Sequence, residues 1–446
     1  MMRMYGAVVA CLTLVAASGA AAQSVYGCSD LEGRQARASV EGTSGVFYRV
    51  NPDLRMFHAF SDESIADLAK LAQALDAHGT TLVYVPMPTK SLAMPDQLPP
   101  EAGDLGFDLE LATTGYAEII RRLQEAGVQT ADVRKAMRTA PAAGTSGAVA
   151  VGLPFFATDP RMTSVGARLA ATSIAGTIAA TKHYSELPKN RFETRSAGMV
   201  TLPSDTRSAL QRHCLIALPP VETESFATAR TIAAAATATD GAIVGGPAGN
   251  AAGRIALVGT DYEGESAANL AGFLAELTGL DVVQYTVPDG GSYGAISSYM
   301  TSKAFQTDRP AYLVWANPVF NNLAQFGDQP MAELTAAATD ACRVPLPARP
   351  GNSTNSASVD LSPLQRGQAY SLLVDADGTE AAEARFTFHA ASGQIRSKSV
   401  LRQKNQVRTG RFFVPLSGLW PDGAQSVEIV LDVAFGPATT VTACFD

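Results

Sequence analysis

RIALVGTDYEGES, residues 254–266, decides the fold. Its first six residues are a short apolar run of the kind that forms a buried strand, and Gly259 and Thr260 open a turn. The next stretch, ANLAGFLAELTG (268–279), has the apolar content of a helix that ends at a glycine. Strand, turn and helix in that order are one step of a doubly wound α/β sheet, where ligands and nucleophiles gather at the strand's carboxyl end. The residue presented by this turn is Asp261, a carboxylate where an enzyme of this architecture would place its nucleophile.

The same rhythm extends on both sides. SDESIADLAKLAQALDAHG (61–79) puts Ile65, Leu68, Leu71, Ala72 and Leu75 on one helical face, with Ser61 as a cap and Gly79 as a stop. TTLVYV (80–85) follows as a strand, then YAEIIRRLQEAG (116–127) as a second helix and VQTADV (128–133) as a strand-like run. SVGARLAATSIAGTIAAT (164–181) is a third helix. DVVQYT (281–286) and AYLVWA (311–316) are further strands, separated by helical SYGAISSYMTSKAF (292–305). Strands alternating with helices of this length predict right-handed βαβ units and a parallel sheet. TAPAAGTSGAVAVG (139–152) reads as a surface loop, and TARTIAAAATATDGAIVGGPAGNAAG (228–253) fits loop, helix or both. Beyond Cys342 the style changes: RVPLPARPGNSTNSAS is rich in Pro, Ser and Asn. The later runs AYSLLVDA, ARFTFHA, GRFFVPL and VEIVLDVAF predict a small all-β sandwich.

The first residues address the chain. Arg3 precedes a short apolar run, YGAVVACLTLVAAS (5–18), and Ala20–Ala22 offers a small-residue cleavage site, the pattern of a secretory signal peptide. The expected division is therefore signal peptide 1–22, α/β domain 23–342, linker 343–359 and β sandwich 360–446. Export fits the cysteines. Once Cys11 leaves with the signal, Cys28, Cys214, Cys342 and Cys444 remain, which an oxidising compartment favours as bridges. Four cysteines allow three pairings. Cys342 and Cys444 bracket the last hundred residues like a staple, which leaves Cys28 for Cys214. No cysteine or histidine spacing suggests a metal site, and no cofactor motif stands out. The net charge of −8 excludes a general nucleic-acid binder.

Four stretches in order, TTLVYVPMPTKSLAMPDQLP (80–99), FFATDPRMTSVGARLAA (155–171), IALVGTDYEGESAANLAGFL (255–274) and GGSYGAISSYMTSKAFQTDRPAYLVWANP (290–318), resemble the periplasmic alginate O-acetyltransferase family. This is the AlgX/AlgJ-like branch of the SGNH hydrolases. The resemblance covers residues 25 to 340, and the trailing β domain is similar to the carbohydrate-binding module of AlgX-type members. It implies an SGNH-hydrolase-like doubly wound parallel sheet followed by a small all-β sandwich, and it supports the pairings Cys28–Cys214 and Cys342–Cys444. Family members transfer acetyl groups to a mannuronate polymer through a Ser-His-Asp triad. Here the Asp position is Asp159, the His position is Arg161, with Met162 where an aromatic is usual, and the Ser position is Asp261.

Two of those positions cannot do the family chemistry. A serine attacks only when an imidazole takes its proton, and arginine offers donors alone and stays charged. An attacking Asp261 would form a mixed anhydride instead of an ester. The histidines His58, His78, His183, His213 and His389 lie in no motif beside a nucleophile, and Ser266 reads as a helix-start residue. The expectation is thus a degenerate triad, with Arg161 bridging Asp159 and Asp261 through its fork of donors. The alternatives are an active acetyltransferase or acetylesterase using Asp261 or Ser266, and Asp159 with Asp261 as a glycoside-cleaving pair. The amides and apolar groups of WANPVFNNL replace charged family residues after the last core strand. In the β domain, Arg396, Lys398, Arg402, Lys404, Arg408 and Arg411 occur without an intervening acid and predict a basic groove for an anionic polysaccharide such as polymannuronate. Trp420 reads as core or as a sugar-stacking platform. The expected setting is the periplasm, beside other polysaccharide-export or acetylation proteins.

Overall fold

The computed structural model describes residues 24–33, 38–139, 152–231, 253–259, 266–339, 342–365, 367–420 and 423–445. Five parallel strands form the central sheet in the order Gln129–Thr130, Thr81–Met87, Tyr312–Pro318, Arg254–Gly259, Asp281–Thr286. Thr81–Met87 and Tyr312–Pro318 lie side by side at the middle, and every residue of both is buried. A strand buried along its whole length needs cover on both faces, which helices supply. Asp62–Asp76, Gly294–Met300 and Gln329–Ala338 make one packed group, and Val133–Thr139, Ser164–Ala179 and Leu270–Thr278 a second.

Local chemistry fixes the boundaries. Ser61 Oγ accepts the Ser64 N–H at 3.1 Å, while Asp62 and Glu63 sit where the helix dipole favours negative charge. The run 116–127 belongs to a longer helix, Leu109–Glu125, because Asp108 caps it through the Leu111 N–H. The run 128–133 yields only a two-residue strand, since Asp132 accepts the Lys135 N–H at 3.0 Å and starts the helix Val133–Thr139. The run 292–305 splits into Gly294–Met300 and Lys303–Thr307, because Ser302 caps a new start through the Phe305 N–H.

One element has no counterpart in the sequence reading. Arg191–Leu202 and Val221–Thr231 form a long antiparallel ribbon, largely exposed and carrying a bulge between Ser196 and Gly198. Exposure removes the apolar alternation that marks a half-buried strand, and the bulge breaks its period. The ribbon's second strand takes the start of the ambiguous Ala/Thr stretch; residues 232–252 of that stretch, residues 140–151 of the expected loop, and the expected signal segment 1–22 lie outside the described residues.

The C-terminal sandwich has two antiparallel sheets. One runs Val344–Pro345, Thr440–Phe445, Tyr370–Asp375, Arg411–Pro415, and the other Ala348–Pro350, Ser356–Asp360, Ser426–Leu431, Glu383–His389, Ile395–Leu401. Leu372, Val374, Phe386, Phe388, Phe412 and Ile429 fill the space between them. The expected linker 343–359 is corrected by this arrangement, because its residues supply one edge strand to each sheet. Pro345 and Pro350 sit in those edge strands, where a missing N–H breaks no interior ladder.

Both disulfides form as expected, Cys28–Cys214 and Cys342–Cys444. The domains also meet through a buried ion pair. Arg402 of the sandwich forks onto Glu333 of the helix Gln329–Ala338, with Nη2 to Oε1 at 2.6 Å, and the two side chains are 3 % and 2 % exposed. Among the described residues no helix is long and apolar enough to cross a membrane.

Candidate active site

The site lies at the carboxyl end of the two central strands. Met87, Pro88, Thr89 and Lys90 after one strand, and Pro318 and Phe320 after the other, line a shallow cleft open to solvent with Arg49, Asp53, Phe155, Pro160 and Met162. This is where an open α/β sheet binds its ligands. An adjoining hollow reaches Ser39, Thr158, Asp159, Thr206 and Leu210.

Asp159 is carried by a tight loop closed at its ends by a bridge between Phe155 and Met162. Its carboxylate is nearly buried and accepts three bonds from Arg161: the backbone N–H at 2.9 Å, Nε at 2.8 Å and Nη2 at 3.0 Å. Arg161 Nη2 also donates to the Pro203 carbonyl at 2.7 Å. Burial pushes the Asp159 carboxyl upward, but the bonds from Arg161 and Ser204 outweigh it and hold the group below the usual carboxylate range. The pair is therefore ionised and mutually saturated at neutral pH, a bidentate fork instead of an acid-base couple. Half of the expected bridge is thus in place, while Asp261 lies outside the described residues. Ser266 is exposed in a 3-10 turn ahead of the helix Leu270–Thr278, whose capping position belongs to Asn269.

The wall opposite is built by the segment between the two ribbon strands. Ser204 caps the helix Asp205–Gln211 through the Arg207 N–H, and Pro203 and Ser204 meet the Arg161–Asp159 pair from that corner. Leu210 and Leu218 pack with Phe47 in a small cluster of their own, and Cys214 bonds the wall to Cys28 of the N-terminal arm. The arm contributes a second ion pair, Arg49 with the buried Asp53 at 2.9 Å, and Arg49 lies 5.5 Å from the Phe320 ring.

Neither His58 nor His183 joins the cleft chemistry. His58 has both ring nitrogens buried without partners, and burial first, then the charge of Arg55, lowers its pKa to about 4. His183 stacks on Tyr312 and meets Thr81, at the opposite end of the strands. Among the described residues no cluster could hold a metal ion.

Of the six cations expected to form a basic groove in the sandwich, two are paired with carboxylates. Arg402 is consumed by Glu333, and Arg411 pairs with Asp375 at 2.9 Å. Arg396 donates to the Gly418 and Leu419 carbonyls and lies 5.2 Å from the Trp420 ring, so that ring is covered by a cation. Lys398 donates to the Pro415 carbonyl at 2.9 Å, and burial, then the charge of Arg396, lowers its pKa. Arg408 reaches the Glu380 carbonyl at 3.2 Å, and Lys404 is exposed. The cations sit at the open end of the sandwich and at the domain contact, where backbone carbonyls need donors; charge counted along a sequence does not show this.

The residue that sequence reasoning missed is Lys90. It is 3 % exposed, and its Nζ donates to the carbonyls of Phe47 at 2.8 Å, Phe156 at 2.6 Å and Ala157 at 2.9 Å, with Asp159 O at 3.4 Å. The available signal was a lone lysine in the apolar stretch VYVPMPTKSLAM directly after a core strand.

A parallel α/β sheet with its cleft at the strand ends, followed by a β sandwich, defines an SGNH hydrolase-like domain with an appended β module. The chain belongs to the AlgX family: the model described as "SGNH hydrolase-like domain, acetyltransferase AlgX" matches residues 44–319. The alginate biosynthesis protein AlgX of Pseudomonas aeruginosa is 31 % identical over 286 residues, 64 % of this chain and 56 % of that protein. The match therefore spans little more than half the length of that relative. The probable alginate O-acetylase AlgJ of the same organism is 25 % identical over 277 residues, 59 % of this chain and 66 % of AlgJ. The solved structure of Pseudomonas aeruginosa AlgX superposes with a TM-score of 0.70 at 25 % identity, over 92 % of this chain and 94 % of that one. The O-acetyltransferase domain of Pseudomonas putida AlgJ shares the fold, with a TM-score of 0.50 over 67 % of this chain and 98 % of that one.

Proposed function

We propose that this protein binds an alginate-like anionic polysaccharide in the periplasm and supports its modification or export without performing family acetyl transfer. The carrying observation is the Arg161–Asp159 fork. The position where relatives would need a proton acceptor holds a guanidinium saturated by a carboxylate and the Pro203 carbonyl. A group that stays protonated and already paired cannot activate a nucleophile. With Asp261 at the nucleophile's turn, Asp159, Arg161 and Asp261 make a degenerate triad. The cleft beside it is lined by Arg49, which Asp53 already holds and which lies over the Phe320 ring, so a uronate would have to share that guanidinium. The leader-like run at 5–18 with its small-residue site at Ala20–Ala22 and the two disulfides support the periplasmic setting. The α/β domain 23–342 then holds the polymer-facing cleft, with polysaccharide-export or acetylation proteins as partners.

The test is mass spectrometry of mannuronate oligosaccharides incubated with the mature protein and a small acetyl donor, beside Asp261→Ala. Retention of the oligosaccharide without an acetyl mass gain is the expected result. A gain that disappears in Asp261→Ala overturns the reading and makes the protein an enzyme with an aspartate nucleophile.

A further inference from the structure

Lys90 occupies an unusual place. It opens the short helix Lys90–Ala93, capped by Thr89, directly beyond the carboxyl end of the strand Thr81–Met87. From there its side chain runs inward, and its ammonium meets four backbone carbonyls from two other segments. Three of those carbonyls, of Phe156, Ala157 and Asp159, belong to the single loop that carries the Asp159–Arg161 pair. The fourth, of Phe47, belongs to the N-terminal arm, and the Phe47 N–H in turn donates to Ala157 O at 2.8 Å. Carbonyls of one short loop turned toward a common point repel one another unless a cation or several donors sit there, and a buried carbonyl without a donor is costly. An ammonium has three donors and a full charge, so it meets that demand with one group.

We infer that the Lys90 ammonium templates the Phe155–Met162 loop and is a positioning residue, acting on the site through Asp159 and Arg161 and not by touching a ligand. Remove the cation and the Phe156 carbonyl loses this donor, while Ala157 O keeps only the Phe47 N–H. The loop then relaxes outward, and the Arg161 contact to Pro203 goes with it. The arm and the loop are thereby linked at one nitrogen atom, and the wall meets the loop through Arg161. This assignment concerns the loop itself, so it stands whatever the cleft binds.

The experiment is hydrogen–deuterium exchange of the full mature chain, wild type against Lys90→Ala, with and without methylammonium. Tetramethylammonium, which has the charge but no N–H donor, serves as the control. In Lys90→Ala, amides over residues 153–163 should exchange about tenfold faster while those of the β sandwich are unchanged. Methylammonium should restore protection and tetramethylammonium should not. Wild-type protection of the loop in Lys90→Ala, or a loss spread evenly over the chain and unmoved by methylammonium, overturns the assignment.

If Lys90→Ala does not fold, the wild type decides. Burial lowers the Lys90 pKa to about 7, opposed by Asp53 and Asp159 and assisted by Arg49, with the Tyr48 ring 5.7 Å away as the remaining titratable neighbour. Between pH 6 and pH 9, after correction for intrinsic exchange, the loop should lose protection in the wild type and keep it in Lys90→Arg, which stays charged. Equal behaviour of the two proteins overturns the assignment.

Discussion

Two arginine–carboxylate forks in this molecule share their chemistry and differ in what surrounds them. Arg402–Glu333 is sealed between the helix Gln329–Ala338 and the strand Arg411–Pro415, and its leftover capacity goes inward, to Arg411 O at 2.8 Å and from the Phe413 N–H at 3.3 Å. Arg161–Asp159 sits at a cleft margin, with Arg161 still 17 % exposed and leaning on the carbonyl of a separately anchored wall. The sequence cast Arg402 as a group for a polymer and Arg161 as a bridge between two carboxylates. Only Arg161 keeps partial exposure at a cleft margin, so the contrast teaches that position relative to a cleft, and not residue type, separates a site from a joint.

The largest effect should come from breaking the sealed pair. Glu333→Ala strands a buried guanidinium and should cost about 3–5 kcal/mol, read by denaturant unfolding, whereas the double change Glu333→Leu with Arg402→Met should cost far less. If the single change is harmless, the pair is not sealed and the contrast fails. Arg161→Ala should cost less, about 1–3 kcal/mol, because Asp159 keeps its Ser204 partner and water can approach. Its principal effect should be on oligomannuronate retention. Arg161→His combined with Asp261→Ser replaces the fork by the triad residue types. It should raise acetyl-ester hydrolysis at least about tenfold over the wild type in a chromogenic assay. No gain would mean the surrounding cleft has lost more than two side chains.

A smaller effect concerns acid. The folded-state carboxyl of Asp159 titrates below its ordinary 3.8, so its bonds contribute stability at pH values above that and lose it as pH falls through the folded value. Wild type and Asp159→Asn should therefore differ in melting temperature at neutral pH, and the difference should shrink only as pH falls below 3.8 toward the lower folded value. The smallest effect is expected at the exposed Arg195–Glu193 pair on the ribbon, where Arg195→Ala should leave the melting temperature unchanged.

These differences also explain what the sequence made legible. The central strands and their flanking helices could be read because burial on both faces writes uninterrupted apolar runs such as LVYV and IALV. The ribbon Arg191–Leu202 with Val221–Thr231 could not, since an exposed strand needs no apolar code. The edge strands at 344–350 were hidden by prolines that are admissible only because they lie at edges. At the site, Asp159 and Arg161 stand two residues apart and could be paired on paper. Lys90 could not be placed there, because its partners are backbone carbonyls at 47, 156, 157 and 159, and carbonyls leave no trace in a sequence. The same blindness hid that Arg402 and Arg411, two of the six cations of the expected groove, are committed to carboxylates.

The two disulfides carry a consequence for how the chain is made. Along the described cysteines, the first is joined to the second and the third to the fourth, over separations of 186 and 102 residues. Were the chain threaded amino end first into an oxidising space, it would meet these cysteines in that order. An oxidant that simply coupled each new thiol to the one already waiting would produce the native set. Shuffling by an isomerase would then be dispensable, and the N-terminal arm would be bolted to the cleft wall before the sandwich arrived.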